Sequence, residues 1–127
     1  MRDMAGRLRV GGAASANEAT GPIDLVHLDR ATFGDRALRR DVLVMFEGQA
    51  IRLTEEIATA IDRRLRAEAA HTLRGAALGI GANAVAAAAA AIESANGEPE
   101  ELTIAIARLT ARVAEVRLAI SGSLTKD

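Results

Sequence analysis

The chain has 127 residues, with 16 Lys+Arg against 17 Asp+Glu and a formal net charge of −1. That length suits one domain, and the charge balance argues against a basic nucleic-acid binder and against an acidic disordered chain. Half of the residues are hydrophobic, but the only aromatics are Phe33 and Phe46. The core must therefore be aliphatic and alanine-rich, and stacking platforms for single-stranded nucleic acid are missing. There is no cysteine, hence no disulfide framework, no zinc site built on thiolates and no thiol nucleophile. No run of about 18 apolar residues occurs, so no membrane span is expected and the expected location is the cytoplasm.

In chain order, residues 1–20 carry Arg2, Arg7 and Arg9 but no apolar signal-peptide core, and run into a small, polar, aperiodic stretch. They are expected to form a tail. Gly21-Pro22 precedes a short first helix over Ile23–Leu28. Gly34 interrupts the chain and Asp35 is a good N-cap for a second helix of about six or seven turns. Its apolar positions are Leu38, Val42, Met45, Phe46, Leu53, Ile57 and Ile61, spaced by three, four and seven. Asp62 is the best internal cap, so a turn there opens a third helix over about 63–79, ended by Gly79-Ile80-Gly81.

Asn83 is the expected cap of the next helix, which holds the alanine run Ala86–Ala91 and is stopped by Asn96-Gly97. Pro99 with Glu100 and Glu101 opens the last helix. There Leu102, Ile106, Leu109, Val113, Val116 and Ile120 repeat in steps of four and three. Gly122–Asp127 reads as a second short tail. The expected fold is all-α: an antiparallel up-and-down four-helix bundle over residues 21–121 with a short extra N-terminal helix.

Few residues offer chemistry. His27 sits beside Leu25, Val26 and Leu28, which fits a surface or packing role. A His27/His71 metal pair lacks a third ligand at helical spacing, so no metal is expected. Gly75-x-x-x-Gly79-x-Gly81 follows no strand and no P-loop lysine accompanies it, so it reads as close packing and a helix stop. His71 differs. At about 100° per residue, Leu65, Ala69, Thr72, Leu73, Ala76 and Ile80 fall in one arc, and His71 lies about 155° from its middle, facing solvent. Ala67, Glu68, Arg74, Gly75 and Leu78 share its side. Arg74, one turn on, can neutralise an anion carried by the imidazole. Gly75 in mid-helix gives up about 1 kcal/mol relative to Ala, which makes sense where another protein approaches closely.

Ala70-His71-Thr72-Leu73-Arg74-Gly75, followed by Ile80-Gly81-Ala82, resembles the signature of histidine-containing phosphotransfer (HPt) domains. The resemblance covers about residues 22–120. Arg74 stands where Lys is more usual and Ala76 where many members have Ser. It implies a stand-alone phosphohistidine carrier of two-component signalling. In that role His71 takes a phosphoryl group from the aspartyl phosphate of one receiver domain and passes it to another. Arg74 would stabilise the phosphate, and Gly75, Ala67 and Leu78 would form the docking surface. Glu68 is a candidate to orient the ring through Nδ1–H. The implied partners are response-regulator receiver domains and a hybrid histidine kinase, with Mg²⁺ on the receiver and no cofactor on this chain, which is expected to be a monomer. No ATP-binding segment is present, so the chain is read as a carrier rather than an autonomous kinase. The rival readings are a pseudo-HPt that binds partners without phosphotransfer and a helical adaptor in which His71 is incidental.

Overall fold

The computed structural model describes residues 21–95 and 98–126, and among them the chain is all-helical. The helices are α1 (Leu25–Ala31), α2 (Arg36–Thr59), α3 (Arg63–Ile80), α4 (Asn83–Glu93) and α5 (Pro99–Lys126). The expected N-terminal tail (residues 1–20) and the expected Asn96-Gly97 stop lie outside the described residues.

Capping chemistry sets most of the helix ends. Asp35 accepts a hydrogen bond from the Leu38 amide to start α2, and Asp62 accepts one from the Arg64 amide to start α3. Pro99 is the first residue of α5, with Glu100 and Glu101 in its first turn. Two helix starts differ from expectation. Asp24 caps α1 by accepting from the His27 amide, so the helix begins at Leu25, and Ile23 remains outside it. Ile23 and Leu28 then take the two positions of a hydrophobic staple, and both are buried. Asn83 is the first residue of α4 rather than its cap; Ala82 holds the cap position without any side-chain bond.

Helices adjacent in sequence pack together, α2 on α3, α3 on α4 and α4 on α5, and α5 returns to α2. The stripe that α2 buries is Leu43, Phe46, Ala50, Leu53 and Ile57, whereas Leu38 and Met45 are exposed and Ile61 is 100% exposed. The sequence carries two overlapping apolar stripes, and spacing alone does not say which one faces inward. On α3 the buried residues are Ala69, Ala70, Leu73, Ala77 and Ile80. Leu65 and Thr72 are not in the core because the α2–α3 interface opens there into a groove of about 460 Å³, which they line with Arg52, Leu53, Glu56, Thr59, Ala60, Glu68 and Ala69.

Helix α4 is short, with only 11 residues. It buries Val85, Ala86, Ala88, Ala89 and Ile92. Helix α5 buries Leu109, Val113, Val116 and Ile120 as expected, with Leu102 and Ile106 half-buried. It also continues through Gly122 to Lys126 where a tail was expected. Leu124 packs against the core and its carbonyl accepts from the Arg40 guanidinium at 3.4 Å. Burying part of a leucine offsets the cost of about 1 kcal/mol that Gly122 brings to a helix.

The corner between α3 and α4 is fixed by Gly81, which has a left-handed backbone at φ +83°. Its amide donates to Leu78 and the Ala82 amide donates to Ala77, which satisfies the last carbonyls of α3. The Gly81 carbonyl in turn accepts from the Asp24 amide at 2.8 Å, which ties the start of α1 to this corner. A Cβ on Gly81 would lie 2.9 Å from the Asp24 carbonyl oxygen and 3.1 Å from Asp24 Cβ. Gly81→Ala is therefore expected to cost about 2 kcal/mol or more, from the left-handed backbone and the clash together. Denaturant titration checks this, and unchanged stability would show that the corner relaxes freely.

Candidate functional site

Helix α3 carries His71 on its outer surface with the side chain 68% exposed. The flanking residues Ala70 and Leu73 are fully buried and anchor that turn. The imidazole is held at one edge. Its Nδ1 lies 3.0 Å from Oε1 of Glu93, the last residue of α4, and 3.2 Å from a terminal nitrogen of the Arg74 guanidinium. Arg74 Nε donates to the other Glu93 oxygen at 2.5 Å. No hydrogen bond from a described residue to Nε2 of His71 accompanies these, and most of the side-chain surface is open to solvent.

Glu93 holds this cluster together. Its side chain is 22% exposed. Burial alone would raise its carboxyl above the ordinary value of 4.5, but hydrogen bonds and charge from Arg74 and His71 outweigh that and hold it below. The site therefore contains an ionised carboxylate bonded to the phosphoacceptor candidate and to the cation one turn further on.

The structure thus corrects two expectations. Glu68 does not orient His71: its carboxylate sits 3.5 Å from Arg64 Nε, a pair one turn apart on the outside of α3. Glu93 takes that place. Arg74 is half-buried and committed to Glu93 at the Nδ1 edge, so it does not stand free beside Nε2. A signal for Glu93 exists in the sequence, because it is the only charged residue between Asn83 and Ser94. What sequence could not supply is the pairing of two helices across 22 positions.

Gly75 is exposed, and a Cβ built on it meets nothing within 4 Å. Leu78 is exposed and Ala67 half-buried. His27 is exposed and away from this cluster, and its Nε2–H donates to the Gly79 carbonyl at 3.1 Å. Among the described residues no group of three or more His, Asp and Glu side chains is placed to hold a metal ion. None of the described helices is long and apolar enough to cross a membrane.

Because Glu93 titrates below 4.5 in the folded chain and near 4.5 unfolded, its contribution to stability is complete above that pH. It is lost as the pH falls through the lower, folded value. The stability difference between the native chain and Glu93→Gln should accordingly be largest above pH 4.5 and shrink on acidification. Denaturant titrations of both proteins over that range measure it.

Residues 41–119 match the family model of the Hpt domain. No curated protein and no solved structure matches the chain. The match takes in α3, α4 and most of α2 and α5, with His71 inside it. The chain belongs to the Hpt domain family, whose members are helical bundles of two-component phosphorelays that interact with receiver domains and histidine kinases.

Proposed function

We propose that His71 is the phosphoacceptor of a phosphohistidine carrier, taking its phosphoryl group from the aspartyl phosphate of one receiver domain and delivering it to another. The observation that carries this reading is the largely exposed imidazole, fastened at Nδ1 and with no described hydrogen-bond partner at Nε2. A neutral imidazole nitrogen is a competent nucleophile. Phosphoryl transfer asks chiefly for in-line positioning and charge stabilisation. In this reading the receiver supplies the aspartate and its Mg²⁺, and this chain supplies the nucleophile and a docking face.

That face consists of Gly75, Ala67 and Leu78 around His71. The open space over Gly75 lets a partner's backbone come within bonding distance of the ring. The short connections between successive helices fit the antiparallel up-and-down arrangement, in which the face of α3 opposite the core is left open. A hybrid histidine kinase stands upstream. The chain carries phosphate and does not itself consume ATP.

Two variants test the reading. His71→Gln should abolish an acid-labile, base-stable phosphate delivered by phosphorylated receiver domains while leaving helical circular dichroism unchanged. Phosphate that persists on this variant rules out His71. Binding of receivers without any transfer to the native chain identifies a pseudo-HPt, and neither binding nor transfer identifies an adaptor.

Gly75→Lys should fold at least as well as the native chain, since lysine is the better helix former by several tenths of a kcal/mol and meets no neighbour. Transfer should nevertheless slow by about 10²-fold, because the partner is held off by an ångström or more. A thermal melt and a transfer time course decide it, and a native transfer rate would remove Gly75 from the docking face.

A further inference from the structure

Helix α2 buries Leu43, Phe46, Ala50, Leu53 and Ile57. At about 100° per residue, the direction opposite that stripe falls among Asp41, Met45, Gly48 and Arg52. All four are exposed, Met45 to 65%. Val44 and Ile51, also exposed, flank Gly48 on the side toward α5, where Glu47 meets Arg117.

Two members of this outward stripe call for a physical reason. Glycine weakens a helix interior, yet Gly48 stands in the middle of the 24-residue α2. A Cβ built on it meets nothing within 4 Å, so no packing inside the chain requires its absence. Met45, one turn away, leaves a large apolar side chain in water. Both make sense beneath a second helix. The distance between two packed helices is set by the side chains at their contact, and a flexible thioether adapts to the space a glycine leaves.

The charges say which helix that is. Asp41 and Arg52 lie eleven positions apart, about three turns, so they sit on one line along α2 with opposite signs at its two ends. The midpoint of that line, between Phe46 and Glu47, is also the midpoint between Met45 and Gly48. A second copy of α2 laid antiparallel across this point puts its Arg52 opposite Asp41 and its Asp41 opposite Arg52. It also sets each Met45 level with the Gly48 of the other copy. One two-fold axis therefore matches every member of the stripe, which a second copy of this chain supplies by symmetry. Arg52 already bonds Glu56 on its own helix at 3.1 Å, but a guanidinium has five donors and can hold both carboxylates.

We propose that the outward face of α2 is the interface of an antiparallel homodimer, closed by two Asp41–Arg52 ion pairs around the contact of Met45 with Gly48. His71 is bonded to α4 through Glu93 and takes no part in this interface, so the proposal does not depend on what the imidazole does.

Sedimentation equilibrium of the full chain over a range of concentrations tests it. The native chain should pass from monomer to dimer with a dissociation constant on the order of 10–100 μM, since one helix pair is smaller than the about 800 Å² per partner of a standard interface. Asp41→Arg and Arg52→Asp should each weaken pairing by about tenfold, because each turns two attractions into two repulsions. An equimolar mixture of these two variants should regain native affinity, because one chain then offers two arginines on the stripe and the other two aspartates. Gly48→Gln should melt no lower than the native chain, glutamine being the better helix former, and should weaken pairing by about tenfold or more. A native chain that stays monomeric at about 1 mM overturns the proposal. A dimer that neither charge reversal weakens uses another face and overturns it as well. So does a mixture of the two reversed chains that pairs no better than either chain alone.

Discussion

How near α4 approaches α3 determines everything at the His71 surface. The buried side of α4 consists of Val85, Ile92 and three alanines, and α3, the helix it packs on, also buries the small side chains of Ala70 and Ala77. With methyl groups on both sides, the helix axes can lie close, and a glutamate at the end of α4 then reaches an imidazole and a guanidinium on α3. Larger residues would push the helices apart and leave the same three side chains separated by water. The alanine run is therefore more than a reservoir of helix propensity; it fixes a distance between functional groups.

Close packing also explains the division of labour within α3. Ala70 and Leu73 are fully buried, whereas His71 between them is largely exposed. The backbone that carries the imidazole is thus immobilised by the core, and the side chain needs only one further restraint, at Nδ1. In the proposed carrier role, a rigid base with a single tether suits a group that meets two partners in succession without rearrangement of its own fold.

The punctuation of this fold was legible in the sequence, and its phases were less so. Asp35, Asp62, Pro99 and the Gly81 stop act where capping chemistry puts them, because a cap is a local interaction between residues two to four apart. The inward face of α2 is not given by the spacing at Leu38 and Met45 because apolar residues occur on more than one side of that helix, and Ile61 lies past its end. Tertiary packing chose Leu43 and Ala50 instead. The same distinction runs through the site. The exposure of His71 follows from one helix and could be read directly. The partner of its ring could not: Glu68 satisfies the local spacing, but its carboxylate turns to Arg64, and the carboxylate that binds the ring comes from another helix.

The link between Asp24 and Gly81 has a consequence for how the molecule breathes. Helix α1 is held to the bundle by that backbone hydrogen bond, by the His27–Gly79 bond and by burial of Ile23 and Leu28. None of these contacts involves the packing of α2 through α5 on one another. Helix α1 can therefore detach as a unit at a fraction of the free energy of global unfolding. In solution this would give the molecule two tiers of amide protection. The Asp24 amide would exchange its hydrogen with the solvent through opening of α1 alone, while the amides around Leu73 would wait for the whole bundle to come apart.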